Sequence, residues 1–152
     1  MDNQNNNIPL ILNENRIFII RENITKADLV SKLVHSICVD LPNLNEEEVL
    51  SSVLKREQGI STTLDTGLSI PHARVEDLDA FQAALAVLPA PIKDDYGLDV
   101  KAMFLFFSPA GQPYFSSHLK LLAALAEKFN SDFIKELSET ADKGRLLKKV
   151  SL

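Results

Sequence analysis

The sequence has one cysteine, Cys38, no tryptophan and only five glycines. A lone cysteine excludes an internal disulfide framework and a cysteine-based zinc site. Five glycines leave little room for a phosphate-cradling P-loop or a dinucleotide fingerprint, and neither pattern occurs. Basic residues form no run longer than a pair, as at Lys55-Arg56 and Lys148-Lys149, and the formal net charge is −5. That argues against nucleic acid or an anionic membrane surface as the main partner. Apolar runs such as 83–88 and 102–107 are only six residues long and cannot span a bilayer. The first residues are polar and asparagine-rich, unlike a signal peptide. The expected location is the cytoplasm, with no direct membrane insertion.

What is present is ordinary for a soluble domain: 152 residues, 45% hydrophobic and 24% charged, enough for one domain with a real core. Residues 1–8 have nothing to bury and read as a disordered tail, leaving 9–152 as the domain. Arg16 to Arg21 reads as a β-branched strand. Thr25 to about Leu41 carries Leu29, Val30, Leu33, Val34 and Ile37 at helical spacing, opened by Thr25 and Asp28 as a capping box. Cys38 falls on its apolar face as a small buried hydrophobe, and His35 on its solvated face. Asn45 caps a second helix, with Glu48 three residues on, Leu44 and Val49 as a staple, and Gly59 as the stop. Strands are expected at Phe81–Leu88 and Lys101–Phe107, separated by a loop containing Pro89, Pro91 and Gly97. The second, apolar on consecutive positions, reads as a central strand covered on both faces. Ser116 or Ser117 is expected to cap a helix with His118 in its first turn, followed by helices near Ser131–Leu137 and Ala141–Val150. Strands interleaved with helices predict a layered α/β domain.

Candidate chemistry centres on Gly67-Leu68-Ser69-Ile70-Pro71-His72-Ala73-Arg74. Pro71 has no N–H to give a sheet ladder, so pairing should stop there and leave His72 at a strand end. A histidine so held can be a general base, a metal ligand or a phosphoryl-accepting nucleophile. Arg56, at the end of the second helix, offers a planar fork of donors for phosphate oxygens. His118, near a helix N-terminus, sits where amides favour anions. Zinc is weaker, because no H-E-x-x-H spacing is present. A hydrolase elbow is weaker too, because Gly67-Leu68-Ser69-Ile70-Pro71 lacks the final glycine. The residues alone leave a histidine-centred phosphate or acid–base site.

Arg56-Glu57-x3-Ser61-Thr62-x4-Gly67-x2-Ile70-Pro71-His72-Ala73 resembles the active-site segment of the fructose/mannitol-type enzyme IIA of the bacterial sugar phosphotransferase system, R-E-x-x-G-S-T-G-I-G-N-G-I-A-I-P-H, without a gap. Downstream, Ala102–Phe107 followed by Ser117-His118-Leu119-Lys120-Leu121-Leu122-Ala123 is similar to that family's apolar strand and H-L-x-x-L-A helix. The resemblance implies a mixed sheet sandwiched between helices. It implies a phosphotransferase component in which phospho-HPr, or a paralogue, donates to His72, and His72 passes the group to a IIB cysteine. Arg56 would neutralise the phosphoryl charge, His118 would contact it or orient the site, and Ser61 and Thr62 would line the pocket. No metal or cofactor is implied. The chain resembles a stand-alone IIA, which can feed a sugar transporter or act as a regulator of partner proteins, as the nitrogen-related branch does. It departs from the family pattern at Thr63-Leu64-Asp65-Thr66, where two glycines are missing and Asp65 adds negative charge. A loop without those glycines must take another path.

Overall fold

The computed structural model describes residues 9–59 and 62–151; the tail expected at 1–8 lies outside the described residues. Among the described residues six strands form one sheet: β1 (Leu10–Ile11), β2 (Ile17–Ile19), β3 (Leu68–Ser69), β4 (His72–Val75), β5 (Phe81–Lys93) and β6 (Asp99–Pro109). The two long strands pair antiparallel in the middle. β1 and then β2 run parallel along the outer side of β5, while β3 and then β4 do the same along β6. Helices α1 (Lys26–Cys38) and α2 (Glu46–Gly59) cover one face; α3 (Phe115–Lys128), α4 (Ser131–Ser138) and α5 (Lys143–Lys149) cover the other.

Alternation along the central strands builds both cores at once. Ala84, Ala86, Leu88, Met103, Leu105 and Phe107 pack under α1 and α2. Ala83, Leu85, Val87, Ala102, Phe104 and Phe106 pack under the C-terminal helices. The mixed sheet between helix layers is the architecture expected from the sequence. Two helix starts follow their expected caps: Thr25 Oγ1 accepts the Asp28 N–H at 3.1 Å, and Asn45 Oδ1 accepts that of Glu48 at 3.2 Å. Cys38 is buried, and His35 is exposed beside Glu46.

Several boundaries differ from expectation, four of them for a reason visible in the packing. Arg16 belongs to a 3-10 turn, Glu14–Arg16, rather than to a strand. Its buried guanidinium donates to Gln82 Oε1 at 2.8 Å and Asp40 Oδ2 at 3.1 Å, so β2 begins only at Ile17. Pro89 and Pro91 do not end β5, which runs to Lys93. The register shifts between Val87 and Ile92, where missing N–H groups cost no ladder bond, and the turn shrinks to the residues around Asp94–Leu98. Neither Ser116 nor Ser117 caps α3. A 3-10 turn over Gln112–Tyr114 leads into the helix, so Phe115 is its first residue and both serines lie inside it. Finally, pairing does not stop at Pro71. Its carbonyl accepts the Phe106 N–H at 3.2 Å, and the ladder resumes as β4 with His72 opposite Phe106.

Candidate functional site

His72 opens β4 on the edge column of the sheet, on the face that α3 covers. Its ring lies flat on Phe106, with centroids 5.2 Å apart and planes 9° from parallel. Nδ1 is 2.7 Å from the carbonyl oxygen of Ile70. A carbonyl can only accept, so Nδ1 carries the proton and Nε2 keeps its lone pair. Pro71 between the two residues stiffens that two-residue bite. His72 is 7% exposed, which makes protonation unfavourable. Burial is the main cause lowering the His72 pKa, and the Arg56 charge adds to it, while the Ile70 bond and Glu57 oppose it.

His118 comes from the first turns of α3. Its ring centroid is 5.3 Å from that of His72 and 5.6 Å from that of Phe106. Its Nδ1 meets Ser108 Oγ at 2.7 Å, a buried contact. Burial first, then the charges of His72, Arg74 and Arg56, lower its pKa from 6.5 to about 4. Both imidazoles are therefore neutral near pH 7.

Arg56, in the last turn of α2, is exposed, and its charge reaches both rings. The structure thus brings His72, His118 and Arg56 into one neighbourhood. Thr62, expected to line the pocket, is half-buried beside Glu57, whose charge also reaches His72. Its hydroxyl donates to Glu57 Oε2 at 2.7 Å, and Lys26 Nζ approaches the other oxygen of Glu57 at 2.6 Å. Thr62 therefore anchors the loop to α2. Ser61 lies outside the described residues. The altered loop closes without the missing glycines: from 62 to 66 no residue has positive φ, and only Gly67 adopts it, at 99°. The Leu64 N–H donates to the Leu68 carbonyl at 2.7 Å, and Thr63 bridges Ser69. Asp65 is exposed.

Three contributors were given no role from sequence. Phe106 is the platform under His72, hidden in a run where every position is apolar. Ser108 is the first polar residue after that run, a signal that was available. Arg74 donates to the carbonyls of Pro109 at 3.2 Å and Gly111 at 2.7 Å, and its guanidinium lies over the Phe115 ring at 5.3 Å. Phe115 in turn stacks on His118, with centroids 6.3 Å apart and planes 11° from parallel. Phe115 and Leu119, a turn apart on α3, are exposed.

The fold and this site define a layered α/β domain carrying two neutral, facing histidines at the open edge of a mixed sheet. The chain belongs to the family described as phosphoenolpyruvate-dependent sugar phosphotransferase system, EIIA 2, whose sequence model matches residues 10–151. A relative called nitrogen regulatory protein, from Bradyrhizobium diazoefficiens, is 31% identical over 106 residues, 68% of each chain. Among solved structures, the nitrogen regulatory protein IIA-Ntr of Neisseria meningitidis superposes with a TM-score of 0.79 at 20% identity, covering 93% of this chain and 96% of that one. Enzyme IIA mannitol of Escherichia coli, in its complex with phosphorylated IIB mannitol, gives 0.71 at 14% identity, covering 92% and 96%. No helix among the described residues is long and apolar enough to cross a membrane.

Proposed function

We propose that this protein is a cytoplasmic phosphoryl carrier that takes a phosphoryl group on Nε2 of His72 from a phosphohistidine donor of the HPr type. The observation that carries this reading is the 2.7 Å bond from His72 Nδ1–H to the Ile70 carbonyl, which leaves Nε2 as the nucleophilic nitrogen. In the transfer, the P–N bond to the donor ring breaks with its electron pair returning to the donor. A P–N bond to Nε2 forms from the His72 lone pair. No proton moves at His72, because Nδ1 keeps its proton on Ile70. The positive charge that the ring acquires is shared with that carbonyl, and Phe106 holds the ring plane. Arg56 answers the negative charge spread over the transferring oxygens. A neutral His118 can approach the phosphoryl group without charge of its own. The family assignment supports the same chemistry.

Onward use divides into two readings. One passes the group to a IIB cysteine, as a phosphotransferase component in sugar transport. The other uses the phosphorylation state to switch binding to target proteins, since a phosphoryl group adds roughly −1.5 to −2 charge at an interface. The name of the relative, nitrogen regulatory protein, favours the second. The test is labelling by phospho-HPr, or a paralogue, with radioactive phosphoenolpyruvate as the ultimate source. The parent should acquire an acid-labile, base-stable phosphate, His72→Ala should acquire none, and Arg56→Ala should acquire it more slowly. Equal labelling of His72→Ala overturns the reading. Transfer from the labelled protein to a panel of IIB domains selects the first use; capture of a target by only one phosphorylation state, without transfer, selects the second.

A further inference from the structure

We propose that Ser108 is a positioning residue whose buried hydroxyl holds His118 in the tautomer protonated on Nε2, making His118 a hydrogen-bond donor beside the His72 nucleophile. The inference rests on the reading of His72 as phosphoryl acceptor, and it assigns a chemical role to a residue outside the histidine pair.

Ser108 lies two residues beyond Phe106 on β6, so both side chains stand on the α3 face of the sheet. It is 0% exposed, and among the described residues the hydrogen-bonding partner of its Oγ is His118 Nδ1 at 2.7 Å. Two arrangements fit that distance. If the imidazole donates from Nδ1, the hydroxyl proton of Ser108 is left buried without an acceptor. If the hydroxyl donates, its proton is used and the Nδ1 lone pair is satisfied. A neutral imidazole carries a single N–H, so its proton then sits on Nε2. Leaving a buried donor unpaired is costly enough to bias the two tautomers by roughly tenfold or more. The serine also works against charging of His118, because an imidazolium would have to donate from Nδ1 as well.

The two histidines thereby hold opposite tautomers. His72 has its proton on Nδ1, pinned by the Ile70 carbonyl, and a free lone pair on Nε2. His118 has its proton on Nε2 and its lone pair occupied by Ser108. With a lone pair on its outer nitrogen, His118 would repel phosphoryl oxygens; with an N–H there it can donate to them. The backbone sets one tautomer and a strand hydroxyl sets the other.

Nitrogen-15 spectra of the imidazoles in the unphosphorylated protein at neutral pH read the tautomer directly. The expected result is His118 with a protonated Nε2 and a hydrogen-bonded, unprotonated Nδ1. In Ser108→Ala the ring should move toward a mixture of tautomers and its pKa should rise. Phosphoryl transfer to His72 should slow by about 2–10-fold, the range of one net hydrogen bond. Ser108→Thr, which keeps the hydroxyl, should restore both. A parent His118 protonated on Nδ1, or an unchanged tautomer in Ser108→Ala, overturns the assignment. The parent spectrum needs no variant, so a poorly folded Ser108→Ala does not shelter it. If the parent takes no phosphoryl group at all, the reading of His72 fails, while the spectrum still decides the tautomer.

Discussion

Acid should weaken this fold through His118, and by an amount that can be worked out. The folded protein holds His118 at about 4, against an ordinary 6.5, chiefly because the ring is buried and then because His72, Arg74 and Arg56 surround it. Between those pH values the unfolded chain binds a proton that the folded protein refuses. The stability conferred by the neutral ring is therefore complete above about pH 6.5. It declines as pH falls and reaches its floor near pH 4, where both states are protonated. One such proton is worth about 1.36 kcal/mol per pH unit, so the full gap sets a ceiling of about 3 kcal/mol. Relaxation and water entry at the sheet edge should reduce this to about 1–2 kcal/mol. The assay is urea unfolding at steps from about pH 7.5 to 4, comparing the parent with His118→Asn, whose Oδ1 can accept the Ser108 hydroxyl in place of Nδ1. The other groups are common to both proteins, so their contributions largely cancel. The parent should lose that 1–2 kcal/mol relative to the variant as pH falls through the window. A flat difference, a difference of opposite sign, or a His118 titrating at 6 or above by NMR refutes the buried, neutral ring.

Gly67→Ala should destabilise by about 1–3 kcal/mol, because a side chain is strained at φ 99° and its Cβ would come within 2.8 Å of Lys101 Cδ. It should also slow labelling of His72, since the Gly67 carbonyl ties the loop to Lys101 and Ala102. A variant as stable as the parent in urea refutes the backbone argument. Cys38 should resist thiol reagents in the native protein, its pKa being pushed up to about 11 mainly by burial and then by Glu46. One equivalent should react once the protein is unfolded. Fast stoichiometric modification of the folded protein contradicts the burial.

How far the sequence can be read depends on how local each cause is. The caps of α1 and α2 are decided by a side chain and an amide three residues away, and Thr25 and Asn45 stand where their spacing predicts. The apolar run of β6 announces a strand covered on both faces, because no solvated face could tolerate it. Elsewhere the deciding partner is remote in sequence. Arg16 leaves the strand because Gln82 and Asp40 hold its guanidinium. The prolines of β5 stay in the strand because they coincide with a register shift against β6. β4 exists because Phe106 can use the Pro71 carbonyl. None of these can be inferred from a window around the residue itself.

The candidate site divides along the same line. The spacing of Arg56, Gly67, Pro71 and His72 is contiguous chain, and together with the Ser117–Ala123 segment it was enough to point to the family that the comparisons assign. Composition also excluded a disulfide framework within this sequence. The protonation of the site was beyond its reach. That His72 keeps a lone pair on Nε2 depends on a carbonyl two residues back, and only the folded turn aims it at Nδ1. That His118 is neutral, and that Ser108 holds it, depends on packing α3 against β6, which buries both groups and leaves each the other's partner. Sequence chose the residue types; desolvation and hydrogen-bond pairing in the assembled sheet decided which nitrogen carries each proton.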